Sequence, residues 1–414
     1  MKEIQSYWKN YYFNINLSPQ NFFAGMNFGW GLITLGMRIY KILISAVLIC
    51  FIWTLPVLGQ EINNLDIYAE GAVLMDAETG RVLWAKNPHK RLFPASTTKI
   101  LTAVLALEKG KLDSTVVVSR EAAETGGSAI WLEEGEKLTL EDLLYAVLLS
   151  SANDAAAAVA EHIGGTQENF VRMMNEKAKA IGAEDTHFVN PHGLHDEKHY
   201  TTAYDLALIG RYAMTNSEFE KIAATKKKII PWAGHDWSRL LINKNNLIRN
   251  PELFPGADGI KNGYTTPAGN CLVASATRNG MRLIAVVLDA PNATGEAVRL
   301  LDYGFKNYSK EKLVTKGEIL GSFKVKGYGR VNLVASRSMG AALREGEKNR
   351  VEAVVYAPKK VDHSVKKGDV MGKIKFTVDG ETITTVDLVA AETVKNPWLS
   401  GLLKVFFDVF SFWA

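Results

Sequence analysis

Cysteine is scarce in this 414-residue chain, which contains only Cys50 and Cys271. Cys50 lies inside an uncharged apolar run that we expect to be removed or to sit in a membrane. Cys271 would then be the only thiol of the mature chain, which excludes an intrachain disulfide. Because it lies on a predicted strand, Cys271 is expected to be a small buried hydrophobic residue.

An excess of charge of either sign is also lacking. Lysine and arginine total 48, aspartate and glutamate total 44, and the formal net charge is +4. No basic run exceeds three residues and no helical segment is rich in arginine, so we expect no nucleic-acid partner. The 47% hydrophobic and 22% charged content is typical of a globular protein, and the length is sufficient for two domains.

A strongly apolar run near the N-terminus, ILISAVLICFIWTLPVLG at residues 42–59, contains no charge and follows the basic segment MRIYK. This order is typical of a secretory signal, and we predict a signal peptide at 37–59 with cleavage near Gly59-Gln60. An uncleaved membrane helix is the alternative, since about 18 residues is the lower limit for spanning. Either interpretation places most of the chain outside the cytoplasm. Residues 1–36 are interpreted as an over-long N-terminal extension, with Met37 as the true start.

Alternation of apolar and polar residues predicts two strand hairpins with helices between them. The segment GAVLMDAETGRVLWAKN predicts the first hairpin, and Asn279-Gly280 between two apolar runs predicts the second. Helical patterns fill the interval, and one of them starts at Ser96 and ends near Lys109-Gly110. A helix block within an antiparallel sheet predicts an α+β domain over residues 60–308.

After this domain the pattern changes to short alternating segments separated by turns rich in Gly, Pro and Lys. It predicts a small all-β domain over 309–392, a sandwich or a barrel, without a catalytic cluster. The terminal segment 393–414 has one polar helical face, formed by Ser400, Lys404, Asp408 and Ser411. Apolar residues fill the rest, which predicts an amphipathic helix lying on the outer face of the cytoplasmic membrane. A helix docked on the protein's own core is the alternative.

The stretch PASTTKILTA places Ser96 and Lys99 three residues apart at the start of a predicted helix, so both side chains lie on one face. A serine hydroxyl is a weak nucleophile until a base within hydrogen-bond reach takes its proton, and a neutral lysine can be that base. The pair alone is common by chance. The alternative is a helix start at which a Ser or Thr caps the segment after Pro94.

Two further motifs follow in the chain. Ser151-Ala152-Asn153 lies between two predicted helices, where Asn153 is predicted to cap the second one. Lys261-Asn262-Gly263 places a lysine at the end of a predicted strand, with a glycine two residues on. Each motif has a purely structural alternative, but the three rarely arise by chance in this order and spacing.

Together the motifs resemble those of the serine-type D-alanyl-D-alanine carboxypeptidases, the low-molecular-mass penicillin-binding proteins of the S11-like peptidases. That family carries Ser-x-x-Lys, Ser-x-Asn and Lys-Thr-Gly. The resemblance covers about residues 65–410 and includes the segment FVNPHGLHDEKHYTTAYDLALIGRYAM. It implies a β-lactamase/transpeptidase-like catalytic domain, then the small β domain and the terminal helix. It also implies peptidoglycan stem peptides and β-lactam antibiotics as partners, and neither a cofactor nor a metal.

The resemblance implies a role for each motif residue. Ser96 would be acylated, Lys99 would be its base, and Ser151 would relay a proton toward the leaving amine. Burial and a second cation, Lys261, would lower the pKa of Lys99. Asn153 would hold Lys99 or the substrate amide.

It also implies how substrate is held, and here the sequence departs from the family. The backbone amides of Ser96 and Tyr264 would form the oxyanion hole, and Gly263 would let substrate lie against the strand. Lys261 and a neighbouring hydroxyl would bind the terminal carboxylate. Asn262 stands where the family usually has threonine, and the arginine that often precedes the last helix of the catalytic domain is absent.

Three histidines, His192, His195 and His199, lie close together in the sequence. Their spacing fits no usual zinc motif, and the family uses no metal there. We therefore predict that they are loop and surface residues.

Three other functions remain open. A serine β-lactamase shares the first two motifs, but a class A enzyme needs a glutamate four residues before a loop asparagine, where this chain has Thr186 before Asn190. A non-catalytic peptidoglycan-binding module is supported by Asn262 alone. A DD-endopeptidase is chemically adjacent. We expect a DD-carboxypeptidase that removes terminal D-alanine through a Ser96 acyl-enzyme during cell-wall maturation.

Overall fold

The computed structural model describes residues 65–232 and 234–394 of the chain. The strands of its N-terminal part are β1 (Gly71–Asp76), β2 (Val82–Lys86), β3 (Thr115–Val117), β4 (Lys137–Thr139), β5 (Lys227–Ile230), β6 (Arg239–Ile242), β7 (Ala257–Thr265), β8 (Gly269–Arg278) and β9 (Met281–Ala290). The central sheet has the order β2-β1-β9-β8-β7 and is antiparallel throughout. β3 pairs with β4, and β5 pairs with β6, as separate two-stranded ribbons.

Helices lie on both faces of the central sheet. They are α1 (Lys99–Lys109), α2 (Arg120–Ala123), α3 (Leu140–Tyr145), α4 (Asn153–Gly164), α5 (Gln167–Ala180), α6 (Ala203–Ala213), α7 (Ser217–Ala223), α8 (Asn246–Arg249) and α9 (Ala293–Asn307). Threonine side chains cap three of them: Thr139, Thr166 and Thr202 each accept a hydrogen bond from the backbone N–H three residues on. These bonds satisfy N–H groups that the first turn leaves free.

The sheet is central because β1 is apolar on both faces. All six residues of GAVLMD are buried, and Val73 and Met75 pack into one core while Ala72 and Leu74 pack into another. Successive side chains of a strand point to opposite faces, so this division places one core on each side of the sheet. The first core contains α1 and α4, and the second contains α9. The predicted antiparallel sheet with helices is confirmed.

The two predicted hairpins are also confirmed. Residues Asn279 and Gly280 both have positive φ angles, 50° and 75°, at the turn between β8 and β9. Two positive φ values in a two-residue loop match the twist of the flanking strands. The helix predicted after Thr139 is interrupted, since its last turn, Ala146–Ser150, is π-helical and ends at Ser151 with φ 60°.

The C-terminal part is a β domain. Its strands are β10 (Tyr308–Val314), β11 (Ile319–Val325), β12 (Gly329–Ala335), β13 (Met339–Arg344), β14 (Val351–Tyr356), β15 (Lys360–Val361), β16 (Val370–Val378) and β17 (Glu381–Ala390). A six-stranded sheet has the order β14-β16-β17-β12-β11-β15, and β10 pairs with β13 separately. The sequence patterns did not predict β10 and β13. Arg81 ties this domain to the first by two hydrogen bonds, of 2.8 and 2.7 Å, to the Glu347 carboxylate.

Several sequence-based predictions lie outside the described residues. They are the extension at 1–36, the signal peptide at 37–59 and, from residue 395 onward, the amphipathic helix of 393–414. Among the helices of residues 65–232 and 234–394, none is long and apolar enough to span a bilayer.

Candidate active site

Ser96 lies on a short 3-10 turn, Ala95–Thr98, that runs directly into α1. Thr97 and Thr98 are buried, and their hydroxyls donate to the carbonyls of Pro94 and Ala95 at 2.7 and 2.8 Å. Ser96 is the partly exposed residue of this turn. The alternative, in which a Ser or Thr side chain caps the helix start, is wrong, because the capping positions of the turn and of α1 are Pro94 and Thr98 and neither side chain accepts a capping bond. The Ser96 hydroxyl thus takes no part in capping this helix start.

Lys99 is completely buried, and its amine contacts three oxygens. Nζ lies 3.1 Å from Ser96 Oγ, 2.7 Å from Asn153 Oδ1 and 2.5 Å from the His192 carbonyl oxygen. Burial lowers the pKa of Lys99 well below its ordinary value, and the nearby Lys261 and Lys244 charges lower it further. A neutral amine has two N–H donors and one lone pair. The amide and carbonyl oxygens can only accept, so in the neutral form of Lys99 they take the two N–H groups and the lone pair faces the Ser96 hydroxyl.

The Ser-x-Asn motif connects the π-helical turn to α4. Ser151 is 4% exposed and adopts the left-handed conformation, with φ 60° and ψ 32°. This is a strained backbone for a residue with a side chain, and such strain concentrates at functional sites. Asn153 does not cap α4, contrary to the prediction, because its oxygen accepts from Lys99 and its nitrogen donates to the Gly126 carbonyl at 2.7 Å. The capping position is Ala152.

The third motif lies on β7, alongside the Ser96 turn. Lys261 is in the interior of this strand and not at its end, because β7 stays paired with β8 as far as Thr265. A Cβ on Gly263 would lie 2.8 Å from the Ser96 nitrogen, so glycine allows the strand to approach the turn this closely. The Tyr264 side chain is 63% exposed. The structure therefore brings all three motifs together around Ser96.

Three lysines converge on this site. Besides Lys99, the other two are Lys261 and Lys244. Burial and the Lys244 charge lower the pKa of Lys261 to about 7, and burial also lowers the pKa of Lys244. Lys261 Nζ donates to the Asn262 carbonyl at 3.0 Å and to its side-chain Oδ1 at 3.2 Å. Lys244 Nζ donates to the Ser128 hydroxyl at 3.1 Å. Neutral oxygens thus accept these bonds, which leaves a positive potential suited to an anionic substrate.

Sequence reasoning missed Lys244, which carries no recognisable motif and reaches the site only through the fold. It follows the end of β6, and its backbone N–H donates to the Leu149 carbonyl. A cavity of about 260 Å³ beside β7 is lined by Lys244 together with Asn262, Gly263 and Tyr264. Lys244 therefore shares this recess with Asn262 and Gly263 of the third motif.

Two of the three histidines are buried, so the prediction that they are surface residues is wrong for His192 and His199 and holds for His195. Burial lowers the pKa of both buried imidazoles to about 3. The Val189 N–H donates to His199 Nδ1, so Nε2 carries the proton and donates to the Thr98 hydroxyl at 2.8 Å. Within the described ranges, no group of three or more His, Cys, Asp or Glu residues could hold a metal ion.

Comparison with known proteins agrees with this geometry. Residues 59–292 match the family described as D-alanyl-D-alanine carboxypeptidase, and residues 308–396 match the C-terminal domain of penicillin-binding protein 5. The chain belongs to the D-alanyl-D-alanine carboxypeptidase family. As the motifs predicted, it is a serine DD-carboxypeptidase of cell-wall maturation.

Individual relatives cover most of the chain. The D-alanyl-D-alanine carboxypeptidase DacF of Bacillus subtilis is 35% identical over 84% of this chain and 91% of its own length. DacC of Escherichia coli is 32% identical over 86% of this chain and 92% of its own. Among solved structures, penicillin-binding protein 5 of Haemophilus influenzae is 32% identical, with a TM-score of 0.68 over 80% of this chain and 98% of that one.

Asn190 and Thr186, the two residues that argued against a class A β-lactamase, have structural roles in this carboxypeptidase. Asn190 Oδ1 accepts the N–H of Gly193 at 2.7 Å, which shapes the loop that presents the His192 carbonyl to Lys99. The Thr186 hydroxyl donates to Asp205. Cys271 is buried, as predicted, and burial raises the pKa of its thiol to about 12.

The lysine pKa values predict a bell-shaped pH dependence of kcat/KM. With the roles that the sequence motifs predict for the two lysines, activity should rise as Lys99 loses its proton and fall as Lys261 loses the charge expected to attract the substrate carboxylate. Because burial depresses both pKa values, both limbs lie below pH 10.5, the ordinary lysine value. The two charges interact, so the pKa values read from the two limbs describe the coupled pair and neither lysine alone. Lys261→Arg should flatten the alkaline limb, since arginine stays charged; an unchanged alkaline limb would contradict this assignment.

Proposed function

We propose that Ser96 is the nucleophile and attacks the peptide carbonyl that precedes a terminal D-alanine. The 3.1 Å contact between Lys99 Nζ and Ser96 Oγ carries this proposal. Ser96 Oγ forms the ester bond as its proton passes to Lys99, and the C–N bond then breaks to release D-alanine. A water molecule, activated by the same amine, hydrolyses the ester and restores Ser96.

Ser151 is proposed to carry the proton from Lys99 to the departing amine. Two features support this role: Ser151 stands two residues before Asn153, whose Oδ1 accepts from Lys99, and its left-handed backbone ends a buried turn. The Ser151 hydroxyl would complete the transfer only in the presence of substrate. Lys99 is thus left neutral for the hydrolytic step.

The oxyanion of the tetrahedral intermediate is proposed to bind the backbone N–H groups of Ser96 and Tyr264. The close approach of β7 to the Ser96 turn, enforced at Gly263, supports this pairing. Such preorganised donors stabilise charge only where it develops in the transition state.

The substrate's terminal carboxylate is proposed to bind Lys261, Asn262 and Lys244. Asn262 Oδ1 is occupied by Lys261 Nζ, which leaves the N–H₂ group of the same amide for the carboxylate. Lys244 lines the same recess and supplies a second cation in a chain that lacks the family's threonine and arginine. The same positive site suits the carboxylate of β-lactam antibiotics.

Ser96→Ala should remove the activity while leaving the fold intact. We expect D-alanine release from a peptide ending in D-Ala-D-Ala to fall by at least about 10³-fold, because no other hydroxyl contacts Lys99 Nζ in the described residues. Ser114→Ala is the matched control, since its hydroxyl bonds the Lys111 carbonyl away from the site. Equal rates for Ser96→Ala and the unmodified enzyme would exclude Ser96 as nucleophile.

We further propose that the enzyme acts outside the cytoplasm, with residues 37–59 as export signal and 393–414 as an anchor on the outer face of the cytoplasmic membrane. The apolar run, the amphipathic pattern of 393–414 and the cell-wall substrate support this location. A chain ending at residue 392 should move from the membrane fraction to the soluble extracytoplasmic fraction. Retention of the shortened chain on the membrane would contradict the anchor.

A further inference from the structure

An aromatic cluster lies at one edge of the catalytic domain, outside the three motifs. Trp131 is 73% exposed and Trp237 is 62% exposed, and Trp232 packs edge-to-face against Trp237 with ring centroids 6.5 Å apart. We call these three tryptophans the aromatic platform. Grouped exposed apolar side chains with a polar rim mark binding surfaces.

One buried guanidinium contacts the backbone of one platform tryptophan and the ring of another. Arg239 donates to the Trp131 carbonyl at 2.8 Å, and its guanidinium lies 4.2 Å from the centroid of the Trp232 ring. Arg239 also forms a bidentate ion pair with Glu136, with side chains 4% and 2% exposed. The net contribution of a buried ion pair to stability is often small, so the main effect of this one is to fix the position of the Arg239 guanidinium. Trp131 itself has φ 56°, a strained conformation that the surrounding contacts maintain.

The platform is continuous with the active site. Trp131 belongs to the segment 126–136. At one end of this segment the Gly126 carbonyl accepts from Asn153, and further along the backbone N–H groups of Ile130 and Leu132 donate to the buried Asp154 carboxylate. The β5–β6 ribbon, whose loop carries Trp232 and Trp237, leads directly to Lys244. Because Lys244 follows Arg239 by only five residues, the two lie at most about 17 Å apart.

A stem peptide is long enough to cover this separation. An extended peptide of five residues spans about 17 Å. When its terminal carboxylate lies near Lys244 and Lys261, its other end can reach the platform. That end carries the sugar to which the peptide is attached.

The chemistry of the platform fits a sugar better than a lipid surface. The apolar C–H face of a pyranose ring packs on an aromatic ring, while its hydroxyl groups reach polar atoms at the ring's edge. The ring centroids of His235 and Trp232 are 4.5 Å apart, and His235 Nε2 is 3.0 Å from the Glu133 carboxylate. Both residues therefore offer polar atoms beside the Trp232 ring. Exposed acidic residues, Glu133, Glu134 and Asp236, also surround the tryptophans. Their charge opposes an anionic membrane.

We propose that the aromatic platform binds the glycan strand of peptidoglycan while the attached stem peptide occupies the Ser96 site. This inference rests on the proposed function, because the peptide end must be held at Ser96 for the platform to receive the sugar.

The test compares two substrates with the same peptide, one free and one linked to its disaccharide. Trp131→Ala and Trp237→Ala should each lower kcat/KM for the disaccharide-linked peptide about tenfold and leave kcat/KM for the free peptide unchanged. The magnitude is that of one lost aromatic stacking contact. The matched control is Tyr328→Ala, which removes a similarly exposed aromatic ring from the C-terminal domain.

The outcomes separate this inference from the proposed function. Equal losses on both substrates, or no loss on either, would overturn the platform as a sugar site. Unchanged kinetics with weaker binding to anionic phospholipid vesicles would overturn it in favour of a lipid surface. Failure of the unmodified enzyme to release D-alanine from either peptide would instead refute the proposed function. Full activity on the free peptide shows that each variant is folded.

Discussion

Lys99→Met should reduce acylation of the enzyme by about 10³-fold. The substitution preserves the length of the side chain but removes the amine that contacts Ser96 Oγ, and general bases typically contribute 10²- to 10⁴-fold. Stability should change little, because the desolvation cost of the amine is removed while Asn153 Oδ1 and the His192 carbonyl lose a donor. The rate of acylation by a β-lactam and the melting temperature measure the two effects.

The matched control is Lys177→Met. Lys177 donates to Glu108 and to the Tyr212 hydroxyl at 2.8 and 3.1 Å, on the surface of α5. Its replacement should leave the acylation rate within about twofold. A Lys99→Met enzyme that is acylated as fast as the control would show that another group takes the Ser96 proton.

Glu136→Ala should lower the free energy of unfolding of the catalytic domain by about 3–5 kcal/mol. The substitution leaves the Arg239 guanidinium buried without its carboxylate, and an uncompensated buried charge costs about this much. Chemical denaturation monitored by tryptophan fluorescence measures the loss, since the Trp232 ring lies against the same guanidinium.

The double variant Glu136→Leu/Arg239→Met separates the unpaired charge from a general loss of packing. Removing both charges should recover at least half of the lost stability, because apolar residues of similar volume often replace a buried ion pair without cost. A double variant no more stable than Glu136→Ala would show that the effect comes from packing. The charge explanation would then fail.

The parts of the site set by local geometry could be predicted from the sequence. Ser96 and Lys99 are three residues apart at a helix start, so their contact follows from helical spacing alone. The hairpin at Asn279-Gly280 was predictable for a similar reason, since that pair favours the two positive φ angles of its turn.

The parts of the site set by tertiary packing could not be predicted. The His192 carbonyl is a backbone group, so no residue type signals that it receives Lys99 Nζ. Asn153 was expected to cap α4, and only the approach of α1 shows that Lys99 occupies its oxygen. Lys261 is predicted at a strand end, yet pairing with β8 extends the strand to Thr265.

Lys244 illustrates the same limit. Its sequence neighbours, Asn243 and Asn245, give a polar stretch that is typical of an exposed loop. In the structure Lys244 follows a ribbon that ends beside Ser128, so its charge acts on Lys99 and Lys261. Such convergence depends on chain segments far apart in sequence.

Intact mass measured against time after penicillin addition tests the central claim most directly. The full-length enzyme should gain the mass of one penicillin, hold the adduct for minutes or longer, and yield a modified peptide containing Ser96. Ser96→Ala should gain nothing under the same conditions. An adduct that persists in Ser96→Ala, or one that clears within seconds as penicillin is consumed, would contradict a slowly deacylating Ser96 acyl-enzyme.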